Sequence, residues 1–194
     1  MYKITNSGFL EVICGPMFSG KTTELVRRVE RSKIAGIETK VFKPVIDNRY
    51  DEENIVCHNE LEIKAKPVES LKEVLKYVDS GVVVGLDEIQ FFDEKELLDT
   101  INVLVDHNCR VIAAGLDLDF RGEPFEPTVS LMAQAEYVNK LRAVCKICGE
   151  PASRTQRIID GLPASYDDAR IVVGSDERYE ARCREHHIVE REED

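Results

Sequence analysis

The chain has no apolar run approaching the roughly 20 residues that a membrane span needs. Its first stretch, MYKITNSGF, lacks the apolar core of a signal peptide. From both absences we expect a cytoplasmic protein with no membrane partner. A basic excess is missing too. Thirty-seven acids face 26 lysines and arginines, the formal net charge is −11, and Glu190, Glu192, Glu193 and Asp194 add an acidic tail. General nucleic-acid binders carry a basic face, so that class is disfavoured and any polyanion site must be local. There is no internal repeat and no low-complexity linker. The 194 residues allow one domain with a sizeable core and a small appendage.

What is present centres on residues 11–22, EVICGPMFSGKT. Gly15, Gly20, Lys21 and Thr22 fit G-x-x-x-x-G-K-[ST], with Pro16, Met17, Phe18 and Ser19 between them. The apolar residues before it (Phe9, Leu10, Val12, Ile13, Cys14) read as a buried strand. TELVRRVERSKIAG after it reads as a helix ending at Gly36. A Gly-rich turn alone would not need both flanks; a phosphate-binding loop does. Its glycines let backbone N–H groups converge on phosphate oxygens, and the helix N-terminus adds partial positive charge. Lys21 would meet the β- and γ-phosphates of a nucleotide, and the Thr22 hydroxyl would meet Mg²⁺.

Strands and helices then alternate. TKVFKP (39–44) is a short strand, 55–66 suggests two short strands around Asn59, and SLKEVLKYV (70–78) has helical spacing. GVVVGLDEIQFF (81–92) is a continuous apolar run ending in acids, and KELLDTINVLVDHN (95–108) is a helix. RVIAAGLDLDF (110–120) is another strand, and SLMAQAEYVNKL (130–141) reads as a further helix. This is the pattern of an α/β fold with a parallel sheet covered on both faces. We place a phosphate-loop nucleotide-binding domain at 1–142 and a separate small unit at 143–194.

VVVGLDE delivers a carboxylate at the end of an apolar strand, where parallel sheets bind ligands. Asp87 would lie near Mg²⁺ and Glu88 would serve as base; two solvated acids capping a strand are the alternative. For the weaker pair at the next strand exit, Asp117 and Asp119, we read solvated acids. Of the six cysteines, Cys14 and Cys109 read as buried thiols beside apolar runs, and Cys57 is isolated. Cys145-Lys-Ile-Cys148 and Cys183-Arg-Glu-His186, separated by 34 residues, give C-x₂-C and C-x₂-H. Three thiolates and an imidazole make a closed tetrahedral zinc site, a structural staple rather than a centre of chemistry. A lone C-x-x-C would also suit a redox pair, and His187 could replace His186.

The stretches GPMFSGKTTEL, KPVIDNRY, DEIQFFD, GLDLDF, KLRAVCKICGEPASRTQR and VVGSDERYEARCREHH together resemble the thymidine kinase family shared by bacteria and the animal cytosol, from Gly8 to His187. The resemblance implies a core like that of the recombinase ATPases with a zinc-bound lobe. It implies γ-phosphate transfer from ATP to the thymidine 5′-hydroxyl, a homotetramer, and inhibition by thymidine triphosphate. It puts the base on Glu88, the metal role on Asp87, and thymine-pocket aromatics on Phe91 and Phe120, which core packing would equally explain. Thr155, Val172, Gly174 and Tyr179 match the lasso loop that reads the base, with Tyr179 at base or sugar. Asp47 and Arg49 match a pair near the phosphates; a solvated loop pair is the other reading. Two positions depart from the pattern: Cys57, where many members carry Ser, and His186, where many eukaryotic relatives carry Cys.

Two other classes compete. A recombinase-like ATPase would use Glu88 to activate water, but should carry a basic strand-binding surface. A nucleotide switch would carry N-K-x-D; Asn139-Lys140-Leu141-Arg142 lacks the Asp and falls in the stretch read as helix. A nucleic-acid-binding zinc ribbon should be basic, whereas 143–194 is acidic.

Overall fold

The computed structural model describes residues 7–45, 54–56, 62–171 and 178–191, with backbone alone at 54–56, 62 and 178. Asp47, Arg49, Cys57, Val172 and Gly174 lie outside the described residues.

β1 (Phe9–Cys14) enters the sheet with its last five residues buried. Helix α1 (Lys21–Ile34) follows at once and puts Leu25, Val26 and Val29 against the sheet. β2 (Thr39–Pro44), the short antiparallel pair β3 (Asn54–Val56) and β4 (Glu62–Lys64), and β5 (Lys66–Val68) come next. β6 (Val83–Leu86), α2 (Glu94–Asp106), β7 (Arg110–Gly115), α3 (Glu126–Gln134) and β8 (Tyr137–Lys140) complete the layer. The large sheet runs β5-β2-β6-β7-β1-β8, parallel throughout. α1 covers one face; α2, α3 and a short 3₁₀ turn cover the other through Leu97, Ile101, Leu104, Leu131 and Leu71. The inner strands β6 and β7, buried on both faces, are correspondingly apolar, whereas the edge strand β8 is exposed along its length.

Glu11 in β1 and Lys43 in β2 are buried charges among these strands. Glu11 has two partners. It accepts from Arg28 of α1 and from Arg110 Nε of β7 at 2.5 Å. An interior carboxylate needs such partners.

The helix expected over 130–141 is not one element. α3 starts earlier, with Pro127 in its first turn, and stops at Gln134 because Ala135 is extended. Residues 137–140 become the edge strand β8. The Leu10 N–H donates to Glu136 Oε2 at 2.6 Å, and the Leu141 N–H to the Cys14 carbonyl at 2.8 Å. The unpaired edge of β1 thus outweighs a weak helical period. Asn139 and Lys140 are therefore in a strand, not a helix. The 70–78 segment is a 3₁₀ helix over Leu71–Lys76, stapled by a capping box between Ser70 and Glu73. Its three-residue period buries Leu71 and Val74 and leaves Leu75 exposed. The apolar run from 81 is a strand only to Leu86; a 3₁₀ turn, Ile89–Phe91, begins beyond Glu88.

After β8 the chain makes small antiparallel sheets. β9 (Ala143–Val144) pairs with β10 (Pro151–Ala152). β11 (Arg154–Ile159) lies between β12 (Leu162–Pro163) and β13 (Arg178–Arg182). Among the described residues the apolar cluster here is Ala143, Cys145, Ala152 and Ala181, with Cys183 packed against them. So little burial needs a second source of stability.

Candidate active site and metal centre

Gly15 opens the phosphate loop at φ 144° and Gly20 closes it at φ 82°. A Cβ on Gly15 would sit 2.6 Å from the Leu141 carbonyl oxygen, whereas one on Gly20 would meet nothing within 4 Å. Lys21 is buried at the first position of α1 and donates to the Pro16 carbonyl at 2.9 Å. Burial lowers its pKa, and the charges of Glu88, Asp87 and Asp117 act against that shift. Ser19 Oγ is buried without a hydrogen-bond partner among the described residues, and Phe18 is exposed. The Met17 N–H is already used: it donates to Thr155 Oγ1 at 3.1 Å.

β6 and the phosphate-loop strand β1 flank β7, so their C-terminal ends face one crevice. The Thr22 hydroxyl donates to Asp87 Oδ2 at 3.0 Å, and the Glu88 N–H donates to Asp87 Oδ1 at 3.0 Å. Burial first, and the neighbouring Glu88 charge second, push the Asp87 carboxyl well above the usual carboxylate range. The donor pair suits Mg²⁺: both are hard oxygens, and adjacent ligands of an octahedral Mg²⁺ lie about 2.9 Å apart. Glu88 itself has φ 52°, left-handed for a residue with a side chain. Gln90, 4% exposed, donates through Nε2 to Glu88 Oε2 and accepts from the Leu116 N–H at 3.0 Å. From sequence alone this glutamine has no role; its signal is its place within DEIQFFD, two residues beyond the acids.

Asp117 and Asp119 are not solvated acids. They are 2% and 3% exposed. Asp119 is saturated by the Arg121 and Glu123 N–H groups, each at 2.9 Å, and by Arg170 Nε at 2.9 Å. Asp117 has an ion pair with Lys140 Nζ at 2.7 Å, off hydrogen-bond alignment. Because β1 lies between β7 and β8, that pair spans the end of the phosphate-loop strand.

Phe91 ends the 3₁₀ turn, half-buried. Phe120 is buried beneath the guanidinium groups of Arg121 and Arg157, 5.4 and 5.2 Å from its centroid. Tyr179 lies on β13, opposite Arg157 of β11.

Cys145, Cys148, Cys183 and His186 converge, with all ligand atoms within 4.8 Å of one another. Cys148 Sγ and Cys183 Sγ are 3.9 Å apart, and Cys183 Sγ is 3.2 Å from His186 Nδ1. Tetrahedral zinc with bonds of about 2.3 Å to sulfur sets sulfur–sulfur edges of about 3.8 Å, so this donor set fits zinc. Desolvation opposes ionisation of Cys145, but the Cys183, Cys148 and Ile147 N–H groups hold its thiol down at about 6, ready to be a ligand. His187 is engaged elsewhere: its Nε2 lies 2.7 Å from the Phe120 carbonyl oxygen.

A parallel α/β sheet, a glycine-bounded phosphate loop opening a helix, and paired acids at a nearby strand end define a phosphate-loop kinase fold. A family model described as thymidine kinase matches residues 8–187. The chain belongs to the thymidine kinase family, and its chemistry is that of a nucleoside kinase.

Proposed function

We propose that the chain transfers the γ-phosphate of ATP to the 5′-hydroxyl of thymidine, giving thymidine monophosphate and ADP. The observation that carries this is Asp87 and Glu88 at the exit of β6, with Asp87 3.0 Å from the Thr22 hydroxyl of the phosphate loop. The family match supports the choice of substrate.

In this reading Gly15 to Thr22 cradle the phosphates, with Arg49 contributing beside them. Lys21 leaves the Pro16 carbonyl for the β- and γ-phosphate oxygens. Thr22 and Asp87 would hold Mg²⁺, which would neutralise charge on the phosphates. Glu88 accepts the 5′-hydroxyl proton as O5′ bonds to the γ-phosphorus, and the bond from that phosphorus to the bridging β,γ-oxygen breaks with its electrons leaving on ADP. Phe91 and Phe120 wall the thymine, and Thr155, Val172, Gly174 and Tyr179 read its edge and the sugar. Cys145, Cys148, Cys183 and His186 would hold zinc, which would clamp the unit at 143–194, distinct from the nucleotide domain at 1–142. A cytoplasmic homotetramer inhibited by thymidine triphosphate, with no nucleic-acid or membrane partner, completes the proposal. No helix among the described residues is long and apolar enough to cross a membrane.

The test is incubation with labelled ATP, Mg²⁺ and a panel of nucleosides. Thymidine should become the labelled monophosphate. Release of inorganic phosphate alone, whatever nucleoside is offered, overturns the reading in favour of an ATPase.

A further inference from the structure

We propose that Gln90 is a positioning residue that aims the Glu88 carboxylate, bolting it to the end of β7. The proposal rests on Glu88 being the base. β6 and β7 are adjacent, in register at Leu86 and Ala113. Gln90 leaves the end of β6 in the Ile89–Phe91 turn and reaches across to the first residue beyond β7, where the Leu116 N–H donates to its Oε1 at 3.0 Å. That bond fixes the amide orientation. A backbone N–H demands the carbonyl oxygen, so the NH₂ group must face the other way, and there it donates to Glu88 Oε2. Gln90 is thus a buried bridge with one end on rigid sheet and the other on the proposed base.

Two further features fit this role. Glu88 sits at φ 52°, a conformation held only where neighbours over-determine it. Its backbone is tied down on both sides, by its own N–H to Asp87 Oδ1 and by its carbonyl to the Phe91 N–H at 3.1 Å. Those bonds fix where the side chain starts, not where it ends; the Gln90 amide acts at the far end. Gly115 makes room for the bridge. A Cβ there would lie 2.8 Å from Gln90 Oε1 and 2.5 Å from Ile89 Cγ1. An amide bonded to one carboxylate oxygen restricts the rotation of the whole carboxyl group, and a proton acceptor needs a fixed direction toward a hydroxyl about 3 Å away.

The experiment uses Gln90→Met, which keeps length and packing but cannot bridge, and Gln90→Glu. The latter keeps an acceptor for the Leu116 N–H but turns a like charge toward Glu88. Each is made alone and combined with Glu88→Gln. Either Gln90 variant should lower kcat about 10²-fold, the scale of a misplaced reacting group, with KM for ATP within about twofold. In the Glu88→Gln background the same change should cost little more, because the group it aims is gone. Near-normal kcat in both Gln90 variants overturns the proposal, as does an equal loss with and without Glu88. Loss of the folded state in both variants overturns it as well, making Gln90 a structural bolt. If Glu88→Gln alone keeps full turnover, the base assignment itself fails, an outcome distinct from failure at Gln90.

Discussion

The Thr155 hydroxyl accepts a hydrogen bond from the Met17 N–H at 3.1 Å, tying strand β11 to the phosphate loop. Met17 and Thr155 are 138 residues apart in sequence, and Thr155 is fully buried. The loop proposed to cradle ATP and the strand proposed to frame the nucleoside therefore share one backbone donor.

Thr155→Val keeps the shape and removes the acceptor. Leaving a buried N–H unmatched costs about 1–3 kcal/mol. We expect denaturant unfolding to show a loss in that range, with Thr155→Ser restoring most of it. Calorimetry should also show ATP and thymidine weakening together. A variant as stable as wild type, with both affinities intact, would mean the bond does not join the two sites.

Glu88→Gln preserves size and polarity and removes the basic oxygen. Positioned acid–base catalysis is worth about 10²–10⁴-fold, so kcat should fall within that range while ATP affinity stays close to wild type. Lys21→Ala should differ, losing nucleotide affinity as well as rate, because it removes a charge from the phosphates. Steady-state kinetics with ATP titrations separates the two. Unchanged turnover in Glu88→Gln would move the base elsewhere.

The glycine-bounded loop before α1 and the Cys/His cluster are legible in the sequence because their chemistry dictates residue type at fixed local spacing. Cys145, Cys148, Cys183 and His186 do lie together. Tyr137 to Lys140 were misread because pairing with β1, a contact over 120 residues away in sequence, decides their conformation, and periodicity cannot register that. Asp117 and Asp119 were misread for a related reason. Lys140 and Arg170, which compensate their burial, come from other elements. Gln90 carries no charge, and its place within DEIQFFD names no role for it, so its bridge emerges only from the juxtaposition of β6 and β7.

Cys14 tests the interior beneath the phosphate loop. Burial first, and Asp117 second, push its thiol up to about 11, against the opposing charges of Lys140 and Lys21. An unfolded chain ionises this thiol near pH 8.5. The fold favours the neutral form, so its contribution is fully present below pH 8.5 and is lost as pH rises toward 11. Denaturant unfolding between pH 8 and about 10.5 should show wild type losing more stability than Cys14→Ala. At pH 8 only about one native Cys14 in a thousand is a thiolate, so peptide mapping after iodoacetamide should find it unmodified until the protein unfolds. Prompt native labelling, or parallel stability profiles, would refute a buried neutral thiol.

The metal centre should govern the nucleoside more than the nucleotide. Thr155 and Tyr179 belong to β11 and β13, strands enclosed in sequence by Cys148 and Cys183. Among the described residues the apolar core beside them is Ala143, Cys145, Ala152 and Ala181, too small to hold a loop of 34 residues closed by burial. The length-dependent part of that closure costs about 3 kcal/mol before any residue is fixed. A metal clamping both ends offsets it. Cys183→Ser should release zinc and weaken thymidine binding far more than ATP binding, since Gly15 to Thr22 and Asp87 sit on the large sheet. His186→Ala should do the same. His187→Ala should keep the metal, because His187 is bonded to the Phe120 carbonyl. Calorimetry of each ligand on zinc-loaded and zinc-free protein, with zinc counted by atomic emission, reads all of this. Full thymidine affinity without zinc would remove the clamp role. Equal loss of both ligands would make the metal a support of the whole fold through the Met17–Thr155 bond, rather than of the nucleoside site alone.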